Sequence, residues 1–180
     1  SGPVLLTSLH QYYQALKANK KISIKEDTAY LKAQEYMHKH KGRIEQYWKT
    51  TLAQAEGANN IEALLSEPIE LSKYKQVGQP AISSIEITGD FYKELKSFSQ
   101  KEGITVNVIV QFVWHKLLQV YSNGAQSIVG TIVSGRDMPI DGIEQSVGLY
   151  INTLPLLINW ENTNTIKEQL QEIQQKITEM

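Results

Sequence analysis

Chemistry in this chain concentrates at two places. One is Ser134-Gly135-Arg136-Asp137; the other opens at Gly148 and reaches Asn152-Thr153. Gly135 permits a turn that a β-branched residue would resist. Beside it, Arg136 presents a rigid fork of donors suited to a carboxylate. The same four residues also make an ordinary strand-end turn with an Arg–Asp surface pair, and spacing alone does not separate these readings. Asn152 carries two donors and an acceptor on a short stem. At the head of a strand it either fixes a loop or orients an amide-like ligand, and fixing loops is the commoner use of Asn and Gly. A β-type run ends at the first place and another opens at the second, so two strand ends would set polar groups side by side.

The four histidines are His10, His38, His40 and His115, and no HxxxD or HExxH pattern occurs. His38 and His40 are two apart, so they do not share a helix face. Lysines flank them and no carboxylate cluster supports them, so no metal site is expected. His115 follows Trp114 in an apolar segment. It reads as a core or boundary histidine, because a general base needs a positioned partner that the sequence does not name. There is no phosphate loop and no GxSxG elbow, and Trp48, Trp114 and Trp160 read as packing residues. No catalytic residue is assigned.

The elements that must hold these residues follow from periodicity. Pro3 to Leu16 has helical spacing with a wide apolar face. Tyr30 to Tyr36 is a short helix, and Ile44 to Leu52 another with Gly57 as its stop. Residues 58–80, with Pro68, Gly78 and Pro80, read as an irregular surface excursion. Ile82 to Ile87 alternates enough to favour a strand. Asp90 caps a helix that Gly103 ends in left-handed geometry. Thr105 caps the next, which is apolar on most sides from Val106 to Tyr121 and is expected to be a buried central helix. Ser127 to Val133 and Asn152 to Trp160 are strands. Thr165 to Met180 is an amphipathic helix with Ile166, Leu170, Ile173 and Ile177 at four-, three- and four-residue steps. The expected class is α/β, a small mixed sheet packed with helices.

Composition bounds the rest. The chain has 180 residues, 41% apolar and 21% charged, as an ordinary globular domain has. It has no cysteine, which removes disulfides, thiolate catalysis and cysteine zinc sites. Net charge is −1, without the basic balance of a duplex-binding protein, so no nucleic-acid partner is expected. Charge is uneven: Lys17 to Lys49 holds nine Lys/Arg against four Asp/Glu, and Thr50 to Ser72 holds four Glu and no basic residue. A basic helical face beside an acidic loop is the plain reading, and a docking surface for an acidic partner the sharper one. No apolar run has bilayer-spanning length and no signal peptide is visible, so a cytoplasmic protein without membrane contact is expected. The chain opens Ser-Gly-Pro and closes at Met180 within a helical pattern, as part of something longer would.

Taken together, Gly130 to Arg136, Pro139 to Glu144 and Val147 to Leu156 resemble the condensation domains of nonribosomal peptide synthetases. In that family an SGR segment precedes I-G-x-F-x-N-T-x-P; here Val147 takes the place of Ile and Tyr150 that of Phe. Asp90 to Ser122 is similar to the family's helix pair, including Gly103-Ile104-Thr105. Tyr30 to Tyr36 sits where the family has a tyrosine-led motif, and Ile44 to Leu52 is similar to its YW…L helix.

The resemblance implies a chloramphenicol-acetyltransferase-like fold of two lobes around a tunnel. It implies formation of an amide between an upstream thioester and a downstream amine, both on phosphopantetheine arms of carrier proteins, with no cofactor bound directly. The family's catalytic motif, HHxxxDG, is absent from these residues. Residues 1–180 would then be a partial condensation domain, mainly its C-terminal lobe, inactive alone. Ser134, Gly135, Arg136, Gly148, Asn152 and Thr153 would be structural or tunnel residues, with Arg136 bracing the motif's Asp. Expected partners are carrier proteins, the N-terminal lobe, an adenylation domain and, through the uncovered lobe surface, a second copy. The alternatives are a coenzyme A-dependent acyltransferase of the same superfold and a non-catalytic carrier-binding module.

Overall fold

The computed structural model describes residues 2–22, 26–57, 59–60, 78, 81–160 and 164–180. The expected excursion at 58–80 lies outside them except for residues 59, 60 and 78. Six helices and two strands are formed among the described residues: α1 (Gly2–Lys17), α2 (Ala29–Lys39), α3 (Lys41–Leu52), α4 (Gly89–Glu102), α5 (Val106–Ser122), β1 (Gln126–Val133), β2 (Asn152–Asn159) and α6 (Ile166–Glu179). A 3-10 turn at Ile143–Gln145 precedes β2. The chain divides into two compact units, Ser1–Gln54 with Thr131–Leu154, and Ala55–Gly130 with Pro155–Met180.

In the second unit, local signals act as read. Gly103 adopts φ +67°, where only glycine sits freely. The Ile104 N–H then reaches the Ser99 carbonyl at 3.0 Å and the Gly103 N–H that of Gln100 at 3.3 Å, the paired bonds of a Schellman stop. Thr105 accepts from the Val108 N–H and starts α5. Thr165 and Glu168 cap one another at the head of α6, satisfying two otherwise orphaned N–H groups. The first turn of α4 differs from expectation: its N-cap is Thr88, and Asp90 lies inside the helix, paired with Lys93 at 2.9 Å. Likewise α3 ends at Leu52, short of Gly57.

Helix α5 packs against α4 and α6. Ile104, Val108, Leu156, Ile158, Leu170 and Ile173 form the core there, ringed by Ile109, Phe112, Trp160, Ile177 and Met180. The strands pair as a two-stranded sheet. The Trp160 N–H bonds the Ala125 carbonyl at 2.8 Å and Gln126 bonds Asn159, so the head of β1 meets the tail of β2 and the pair is antiparallel. Among the described residues the sheet is therefore small, as expected, and antiparallel rather than mixed. On the other edge of β1, Asn59 stands in for a neighbour: its amide donates to the Ile128 carbonyl and accepts from the Ile128 N–H at 3.0 Å.

Two expectations are overturned. Residues 82–87 form no strand, and Ile82 and Ile85 are about nine-tenths exposed. Alternating apolar side chains specify a face but not a partner, and no described strand pairs with this segment. Helix α5 is not buried all round; only Val108 and His115 are enclosed, while Val110, Val113, Trp114, Leu117, Val120 and Tyr121 stay exposed. It is apolar on two flanks and its packing covers one.

In the first unit, α2 packs on α3, and a small core of Ala33, Ile143 and Tyr150 is flanked by Tyr30, Met138 and Ile140. Helix α1 buries no residue, and Leu5, Leu6, Leu9, Tyr13 and Leu16 are exposed. No described helix is long and apolar enough to cross a membrane.

Ile173 is fully enclosed, so Ile173→Ala should cost about 2–5 kcal/mol by urea denaturation. Thr165→Ala, which removes half of the capping box, should cost about 1 kcal/mol in the same measurement.

Candidate functional site

The site grows from the turn that ends β1. Gly135 has φ +62°, and an added Cβ would run into the Tyr150 carbonyl oxygen. Both facts demand glycine. Ser134 Oγ accepts from the Arg136 N–H at 3.2 Å and donates to Asp137 Oδ2 at 3.2 Å, which closes the turn. Arg136 is thereby aimed inward. Its Nη1 donates to the Ile143 carbonyl and its Nη2 to the Ser146 carbonyl at 3.1 Å. Its guanidinium lies over the Tyr150 ring, 4.2 Å from the centroid.

The 3-10 turn before β2 supplies the other half. Ser146 is buried and stands at the crossing of three contacts. Its carbonyl takes the Arg136 donor, its hydroxyl accepts from Tyr150 Oη at 2.8 Å, and that hydroxyl donates to Asp27 Oδ2 at 2.8 Å. The same Asp27 oxygen accepts the Val147 N–H at 2.9 Å, and Oδ1 the Ala29 N–H at 3.1 Å. The Val147 N–H above all, then the Ser146 hydroxyl, hold the Asp27 carboxyl below its ordinary value against an opposing effect of burial, and the Ala29 N–H and the Arg136 charge add less in the same direction. Gly148 lies where a Cβ would strike the Tyr30 ring, and Tyr30 meets Tyr150 edge-on at 5.3 Å.

Ser134, Gly135, Arg136 and Gly148 converge in one braced cluster. Asn152 and Thr153 stand apart from it. Both are exposed at the head of β2, where Asn152 Oδ1 accepts the Thr153 N–H at 2.9 Å. Among the described residues no hydrogen bond ties either to the Arg136 network. Sequence reasoning missed Asp27, Ser146 and Tyr30. For Asp27 one signal existed, an Asp just ahead of a helix, which often turns its carboxylate onto a backbone N–H two residues on. Nothing in the sequence pointed to Ser146.

His115 is a core residue, as read. It is fully enclosed, and Nδ1 lies 2.8 Å from Ser127 Oγ. That hydroxyl also accepts from Trp160 Nε1 at 2.8 Å, and His115 Nε2 is enclosed without a hydrogen-bond partner among the described residues. Burial first, then the charge of Lys176, push the imidazole down to about 4, against a weaker upward pull from the Ser127 backbone. A weakly basic imidazole enclosed in the core, away from solvent, is placed to pack rather than to take a proton from a substrate. His40 stacks on Tyr36 at 4.1 Å and its Nδ1 lies 2.7 Å from the Tyr36 carbonyl. No three His, Asp or Glu side chains gather as a metal site among the described residues.

An α/β chain whose SGR turn is locked against the loop leading into an N-T strand defines a class, and comparison with known proteins gives the same one. The family model described as "Condensation domain" matches residues 1–180. The chain is 34% identical, over its whole length, to N-(5-amino-5-carboxypentanoyl)-L-cysteinyl-D-valine synthase of Amycolatopsis lactamdurans and to the synthase of the same name from Penicillium rubens. It is 29% identical over 96% of its length to tyrocidine synthase 3 of Brevibacillus parabrevis. It spans 5% of the length of the first two and 3% of the third. The chain belongs to the condensation-domain family.

Two measurements check the site. Gly135→Ala should disrupt the turn and lower thermal stability more than Gly142→Ala, which meets no atom within 4 Å although both backbones are left-handed. For His115 the sign is set by a folded value below the unfolded one: between pH 6.5 and about 4 the unfolded chain takes a proton that the folded chain refuses. Stability should fall as pH drops through that window and level below it. His115→Gln should remove that component of the urea-midpoint profile, leaving the carboxylate component at lower pH.

Proposed function

We propose that this chain is the C-terminal-lobe part of a condensation domain with a chloramphenicol-acetyltransferase-like fold, joining carrier-bound substrates in nonribosomal peptide synthesis. The observation that carries the reading is the family match across residues 1–180, on a chain whose SGR and N-T segments take up the geometry above. In the reaction an amine nitrogen on one phosphopantetheine arm attacks the thioester carbonyl carbon on another. A carbon–nitrogen bond forms, the carbon–sulfur bond breaks, and the thiol leaves with a proton. Such a step gains from a group that orients or deprotonates the amine and from donors aimed at the tetrahedral oxyanion.

This chain supplies the wall rather than the proton handling. The HHxxxDG motif is not among its residues. The Arg136 cluster stiffens the joint between the end of β1 and the entry to β2. Asn152 and Thr153, polar and exposed at that entry, are suited to line the substrate passage. The uncovered apolar faces of α1 and α5 fit attachment to further protein, the other lobe first among the candidates.

The test is a loaded-carrier assay. The 180-residue polypeptide alone should form no amide. A complete condensation domain containing it, with HHxxxDG present, should form amide from two loaded carriers and none from acyl-coenzyme A with a free amine. Product from acyl-coenzyme A only would put the chain among coenzyme A-dependent acyltransferases. The isolated polypeptide should also self-associate at high concentration by light scattering; a strict monomer would count against the apolar faces as contact surfaces.

A further inference from the structure

Asp27 lies outside the SGR and N-T segments, yet it holds the loop on which the Arg136 cluster closes. We propose that Asp27 is a positioning residue for the joining reaction, fixing Ser146 and through it the orientation of Arg136; this rests on the condensation reading above. Each of its carboxylate oxygens is used: Oδ1 takes the Ala29 N–H at the head of α2, and Oδ2 takes both the Ser146 hydroxyl and the Val147 N–H. The contacts join residues 119 and 120 positions apart, so the carboxylate is a long-range tie. Because Ser146 gives its one hydroxyl proton to Asp27, Tyr150 must donate to Ser146, and the direction of the whole chain of hydrogen bonds is set by the carboxylate. The Ser146 backbone, held on one side by Asp27, presents its carbonyl to Arg136 on the other. The end of this loop is the start of β2, where Asn152 and Thr153 stand.

The chemistry makes Asp27→Asn informative. An amide has one acceptor oxygen and one donor nitrogen in place of two acceptors. Whichever way it turns, a donor faces either Ala29 N–H or the pair from Ser146 and Val147. The substitution keeps the shape and loses at least one of the three bonds that the carboxylate accepts.

The experiment uses a complete condensation domain carrying this sequence, with carrier-loaded substrates. Asp27→Asn should lower kcat on the order of tenfold to a hundredfold, the scale of a small misplacement of a positioned group, with KM for the carriers unchanged within about twofold. Arg136→Ala should lower kcat as well. The double variant should be no slower than Arg136→Ala alone, because Asp27 acts through Arg136; multiplied losses would overturn the proposal, as would a kcat for Asp27→Asn equal to that of the parent. Asp27→Glu, which keeps two acceptors, should recover part of the loss. Should Asp27→Asn fail to fold, Ser146→Ala, which removes the hydroxyl but keeps the Val147 N–H and the Ser146 carbonyl, carries the same cycle with Arg136→Ala. A parent domain that forms no amide would instead sink the condensation reading. The tie itself is then read by solvent exchange of the Arg136 guanidinium protons in NMR, which should quicken in Asp27→Asn and would contradict the tie if it did not.

Discussion

One guanidinium organises the loop between the two strands of this molecule. Arg136 reaches two carbonyls of the loop before β2 and covers the ring of Tyr150. A charged donor on a neutral carbonyl is stronger than an amide on the same acceptor, and here two such bonds come from a single rigid plane. The turn at Gly135, the loop at Ser146 and the ring of Tyr150 are therefore one mechanical piece. Its left-handed glycine, its short hydroxyl at Ser134 and the edge-on pair of Tyr30 with the buried Tyr150 serve to keep that plane in place.

The hydroxyl of Tyr150 shows how a small departure from a family pattern is absorbed. Where the pattern has Phe, this chain has a phenol whose oxygen is enclosed and needs a partner. It finds Ser146, whose own proton is already directed at Asp27. The extra polar atom is accommodated because a carboxylate stands at the end of the line. A group there that could donate as well as accept would leave the direction of the hydrogen bonds undetermined.

Much of the fold was legible because its signals are local. Gly103 ends α4, Thr105 begins α5, and Thr165 with Glu168 begins α6; each depends on residues within a turn of itself. The segment 82–87 was misread because alternation cannot supply a partner edge, and α5 because an all-apolar helix does not announce which flank is covered. At the site, Ser134 to Arg136 and Gly148 were found through turn chemistry and family spacing. Asp27 was not, since two of its three donors come from the far end of the chain. A residue that accepts from backbone N–H groups leaves no pattern at their positions, because every residue but proline offers one.

The pairing of Asn59 with Ile128 has a consequence for how β1 can meet other chains. A side-chain amide repeats in miniature the donor and acceptor of a peptide group, so that position of the strand already has its full valence without a third backbone beside it. Any incoming strand must first evict a tethered occupant. Growth of the sheet from that side is thus a displacement, slow and selective, rather than a spontaneous zippering.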